Sequence, residues 1–159
     1  MRRLLLIPSA LALLGAAPAP STVKEVMRGM VNPAAELYWK AGGEVDTEEG
    51  AQKRAPKAGD DARWGETVQA AQMLERSGPV LMQPAIARDT ERWSTFSKQL
   101  AAAGAQAVAA ARARDEAKVF EAGSALYEAC YACHAAYIPR PANSLYRQRT
   151  PDDAFKPPG

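Results

Sequence analysis

Apolar side chains recur every three to four residues in four separate stretches of this chain, while β-branched residues are sparse. That spacing is the mark of amphipathic helices. Alanine, the strongest helix former, is abundant. An all-α fold is therefore expected before any single motif is read. At 159 residues the chain has the length of one domain.

The first stretch runs from about Val23 to Ala41. Thr22 and Glu25 have the spacing of a capping box at its start. Val23, Met27, Met30, Ala34 and Leu37 recur on one face, which is taken as the inner one. Pro33 lies inside this pattern and predicts a kink or a short break. Gly42 and Gly43 end the helix, and residues 43–61 read as a polar loop. The second helix is expected over Ala62 to Arg76, with Trp64, Val68, Ala71 and Leu74 or Glu75 setting the period. Ser77, Gly78 and Pro79 form a stop signal, and residues 79–88 form a connector. The third helix spans about Thr90 to Arg112, with Asp89 as N-cap. Trp93, Phe96, Leu100, Ala103 or Gly104, Ala107 and Ala111 form its stripe. The fourth runs from Glu116 to Tyr137, capped by Asp115 and closed by Pro139. On it Val119, Phe120, Gly123, Leu126 or Tyr127, Cys130, His134 and Tyr137 face one way. Four such helices pack best as an antiparallel bundle, with Trp64 and Trp93 as anchors.

Residues 1–20 carry Arg2 and Arg3, then an apolar run from Leu4 to Leu14, then small residues. This is the layout of a cleavable signal peptide, and the run is too short to span a bilayer. The expected divisions are a signal peptide over 1–20, a helical domain over 21–138 and a proline-rich tail over 139–159. No later segment reads as a membrane span. Of the 20 Lys and Arg residues, Arg2 and Arg3 fall in the leader, so the remaining 18 balance the 18 Asp and Glu. No basic stripe with interleaved aromatics is present, so a nucleic-acid partner is not expected.

The string Cys130-Tyr131-Ala132-Cys133-His134 carries the chemistry. Two thiols and an imidazole at this spacing are what covalent attachment of haem c requires. The thiols form thioethers with the two vinyl groups, and His134 takes the proximal axial position on the iron. On a helix the three are related as i, i+3 and i+4 and so share a face. A thioredoxin-type dithiol would need a βαβ setting, which is missing. A structural zinc site needs four ligands, whereas the chain holds two cysteines and one histidine. A plain disulfide would leave His134 without a purpose. Because His134 is the only histidine, a second histidine ligand within one chain is excluded. The sixth position then falls to a methionine, a weaker group, or nothing. Met27 is the first candidate. Met30 or an open site comes next, and Met73 and Met82, near a helix end and in a connector, come last. No general acid or base can be named for a distal face, so the chain is not read as an enzyme.

A haem motif near the C-terminus of a helical chain resembles the class II c-type cytochromes, which include cytochrome c prime and its low-spin, methionine-ligated relatives. The resemblance covers about Thr22 to Tyr137. It rests on Met27, on Trp64 and Trp93 at helix starts, and on Phe120-Glu121-Ala122-Gly123 leading to the motif and on to Tyr137. It implies a four-helix bundle with one haem tethered to the last helix, His134 proximal, and a distal residue from the first helix. Met27 matches the methionine of the low-spin branch. Val23 stands where cytochromes c prime often carry an arginine. The implied role is one-electron transfer between periplasmic redox partner proteins, with homodimerisation left open. The alternative is a five-coordinate protein that binds nitric oxide or carbon monoxide.

Overall fold

A computed structural model describes residues 19–42, 44–47, 50–53 and 55–138. All but the last two residues of the expected signal peptide, and the whole of the 139–159 tail, lie outside the described residues. The chain is mostly helical, in line with the all-α expectation.

The first helical stretch is continuous but not uniform. It comprises α1 (Val23–Val26), a π-helical turn (Met27–Val31) and α2 (Asn32–Gly42). The Thr22–Glu25 capping box forms at its start, with both reciprocal bonds made. In the π-turn the Asn32 N–H donates to the Met27 carbonyl, five residues back. Pro33 supplies the reason. It has no N–H for the Gly29 carbonyl, and in a regular α-helix its ring would press on that oxygen. One extra residue in the turn moves the carbonyl aside. The kink expected at Pro33 is thus a widened turn just before it.

This turn corrects the expected inner face. Val26 and Val31, five residues apart, are buried, and Ala34, Ala35, Tyr38 and Ala41 follow at ordinary helical spacing. Val23, Met27 and Met30 are only half-buried against that core, and Leu37 is exposed.

The expected 43–61 loop is also corrected. It holds a short antiparallel hairpin, β1 (Glu44–Thr47) and β2 (Gly50–Lys53), with Glu44 opposite Lys53 and Thr47 opposite Gly50. Four-residue strands are too short to leave a clear alternation in the sequence.

Next comes α3 (Asp61–Leu81), capped by Asp60, whose Oδ1 accepts from the Arg63 N–H at 3.2 Å. The stop signal at Ser77-Gly78-Pro79 does not stop it. The reason is the neighbouring α4 (Arg92–Ala113). A Cβ on Gly78 would lie 2.5 Å from the Ser97 carbonyl oxygen, and one on Gly104 would lie 2.4 Å from the Glu75 nitrogen. The helices therefore meet backbone to backbone, and α4 holds the last turn of α3 in place. Trp93 Nε1 adds a bond to the Leu81 carbonyl at 2.6 Å. Trp64 is buried as well, its Nε1 donating to the Lys57 carbonyl at 3.3 Å. Both tryptophans anchor the core, as expected.

The start expected at Thr90 with Asp89 as N-cap shifts: α4 begins at Arg92 with Glu91 as its N-cap, and Asp89, two residues further back, accepts the Trp93 N–H at 2.9 Å. Arg114 turns the chain in the left-handed region, with φ of 53°, and pairs with Asp61 at 2.7 Å. Asp115 then caps α5 (Glu116–Tyr137), accepting the Lys118 N–H at 3.1 Å. α3 packs on α4, α4 on α5, and α2 on both α3 and α5, while Val23–Val31 rests on α3. Among the described residues no helix is long and apolar enough to cross a membrane.

Candidate functional site

Cys130, Cys133 and His134 lie in the uninterrupted second half of α5. Their i, i+3, i+4 relation sets them on one side of the helix. The core face of α5 is Val119, Ala122, Gly123 and Leu126. Phe120 and Tyr127, which follow the apolar period of this helix, are not in the core: they are 62% and 56% exposed. Cys130 is half-buried against the core, Cys133 is half-buried, and His134 is exposed.

Both thiols are free. Burial pushes the Cys130 thiol above its ordinary value, and burial followed by the nearby Cys130 does the same for Cys133. Desolvation moves the His134 imidazole in the opposite direction, below its ordinary value. At neutral pH the face therefore presents two protonated thiols and a neutral imidazole with a free lone pair. Among the described residues no three His, Cys, Asp or Glu side chains form a group able to hold a metal ion. The motif is a row along a helix and not a chelating cage. That suits thiols that bond to separate points of one large planar group while the imidazole reaches its centre.

The opposing wall comes from α2, through a residue the sequence did not single out. Trp39 Nε1 donates to the Gly123 carbonyl at 3.0 Å. Its ring lies 6.4 Å from that of Tyr127, which is 6.3 Å from Tyr131. A Cβ on Gly123 would sit 3.2 Å from Trp39 Cδ1, so this glycine admits a close neighbour. Nearer the other end, a Cβ on Gly42 would lie 3.2 Å from the Phe120 nitrogen. These two contacts make α2 and α5 antiparallel. Trp39 left no signal in the apolar stripe because it stands off it.

The Trp39–Gly123 bond fixes the register along this pair. Three turns on from Gly123 along α5 reach His134. Three turns back from Trp39 reach Met27, once the extra residue of the π-turn is counted. Each span is about 16 Å. Counted along ideal helices, Met27 and His134 come to a similar height, while the Met27–Val31 turn itself packs on α3. Met30 is committed elsewhere: it lines a cleft of about 240 Å³ with Pro33, Leu37 and Met73, on the side of α3. Met82 accepts from Ser94 Oγ at 3.7 Å in the α3–α4 connector.

The end of α5 is tied down beside His134. The Tyr137 ring meets Trp93 edge-on, with centroids 4.9 Å apart, and its hydroxyl donates to Asp89 Oδ2. Bonds from the Trp93 N–H and then from Tyr137 hold the Asp89 carboxyl below its usual range. Desolvation and the Asp89 bond push the Tyr137 phenol up to about 12. No protein-family model matches the chain, and no curated protein or solved structure matches it.

Proposed function

We propose that this chain is a periplasmic monohaem c-type cytochrome of the class II kind, its helices forming a four-helix bundle that carries single electrons between protein partners. One observation supports this above the others. Cys130, Cys133 and His134 share one side of the uninterrupted second half of α5, with Cys130 half-buried against the core.

Cys130 and Cys133 would hold the haem. Each thiol adds its S–H across one vinyl group, sulfur bonding one carbon and hydrogen the other, so the addition consumes no oxidant. When bound, the haem supplies reversible one-electron iron chemistry. His134 and Met27 would supply the protein's two ligands to the iron, an imidazole nitrogen and a thioether sulfur. Two permanent side-chain ligands suit electron transfer, since neither has to move when the charge changes, and a methionine ligand raises the potential. Trp39, Tyr127 and Tyr131 provide aromatic surface beside the tethers. The Tyr137–Asp89 bond steadies the turn that carries His134.

The test is attachment. Protein expressed in a periplasm with haem-attachment machinery is denatured, extracted with acidified acetone and weighed by mass spectrometry. The expected result is one haem retained on the intact chain, and none on a Cys130→Ala, Cys133→Ala double variant. A colourless protein with two ordinary cysteines would refute the proposal.

A further inference from the structure

We infer that Pro33 is a positioning residue: by imposing the π-turn it rotates Met27 out of the core and into line with Trp39, the residue of α2 that bonds to α5. This rests on Met27 as the distal ligand.

The burial pattern carries the inference. A regular α-helix extended backward from α2 would place residue 27, four before the buried Val31, on the buried face. Val26 would then point about 100° away. The structure has the reverse arrangement, with Val26 fully buried and Met27 half-buried. The exchange is a rotation by one residue, and the Asn32–Met27 bond locates the extra residue inside Met27–Val31. The same rotation brings Met27 into line with Trp39, the residue of α2 that bonds to α5.

Pro33 is the cause in this turn that does not depend on packing. It is exposed, so its ring fills no core space. Crowding at Gly29 is not responsible, since a Cβ there would meet nothing within 4 Å. What remains is the missing N–H opposite the Gly29 carbonyl. Replacing Pro33 by alanine restores that donor and lets the turn close to a regular α-helix. Met27 then enters the core and Val26 leaves it.

The register can be repaired by a second change. Removing the exposed Arg28 takes out the extra residue, so in a plain α-helix Val26 returns to the core and Met27 to its native direction, in line with Trp39. The experiment compares oxidised holoprotein of the native chain, Pro33→Ala, and Pro33→Ala with Arg28 deleted. It reads the sulfur-to-iron charge-transfer absorption and the spin state by electron paramagnetic resonance. The expected result is a low-spin native protein, loss of most of the absorption with a high-spin signal in Pro33→Ala, and recovery in the double variant. Full absorption in Pro33→Ala overturns the inference, and so does a folded double variant that fails to recover it. Should Pro33→Ala not accumulate, the double variant decides, since it lacks both the proline and the π-turn. Met27→Ala separates the two levels. If it stays low-spin, the ligation itself is wrong. If it turns high-spin while Pro33→Ala does not, only the role of Pro33 falls.

Discussion

Two helix seams in this molecule use glycine for close approach, and they use it differently. Between α3 and α4, Gly78 and Gly104 each face backbone of the partner helix, the Ser97 carbonyl and the Glu75 nitrogen. Between α2 and α5, Gly42 also lies near backbone but less tightly, its Cβ position 3.2 Å from the Phe120 nitrogen, and nearer the motif Gly123 faces the edge of the Trp39 ring. The first seam is lined by buried alanines and has nothing that can yield. The second is lined by half-exposed aromatic side chains and has the cysteines and His134 at one end. The contrast separates a rigid support from an adjustable wall, and the wall is where chemistry can be accommodated.

The largest effect should come from filling the rigid seam. Gly104→Ala forces backbone apart and should cost about 2–3 kcal/mol, read as a lower urea midpoint. Gly123→Ala, against a ring that can shift, should cost about 1 kcal/mol and alter Trp39 fluorescence. Equal losses at the two sites would erase the distinction. Gly65→Ala is the control. It lies in α3 with open space around its Cβ position, and should gain up to about 1 kcal/mol from helix propensity alone.

The smallest effect is electrostatic. Asp89, Glu25 and Asp115 are all held below their ordinary carboxylate values, chiefly by backbone N–H donors. Carboxyls depressed by folding stabilise the fold fully above their unfolded values, about pH 4. That contribution is lost as pH falls through their folded values. Tyr137→Phe removes one of the donors to Asp89, so its acid limb should be slightly shallower than the native one. An unchanged acid limb would mean that the Tyr137–Asp89 bond does not link α5 to the start of α4 in solution.

What was legible in the sequence was local. The capping box at Thr22 and Glu25, the cap Asp115, and the span Glu116–Tyr137 depend on neighbours within one helical turn, and all are present. What was not legible depends on distant parts of the chain. The stop signal at Ser77-Gly78-Pro79 is overridden because α4 packs directly onto Gly78. The inner face of the first helix was misassigned because an apolar period of 3.6 cannot register an added residue, although Pro33 announced a disturbance there. At the site, the CxxCH spacing was within reach. Trp39 was not, because its meaning lies in a bond to Gly123, 84 residues away.

The most direct test of the proposed ligation is an absorption spectrum of the holoprotein, oxidised and reduced, before and after addition of carbon monoxide. Ligation by His134 and Met27 predicts a low-spin spectrum that carbon monoxide leaves unchanged. A high-spin spectrum that shifts with carbon monoxide would contradict it, returning Met27 to a packing role and making gas binding the function to pursue.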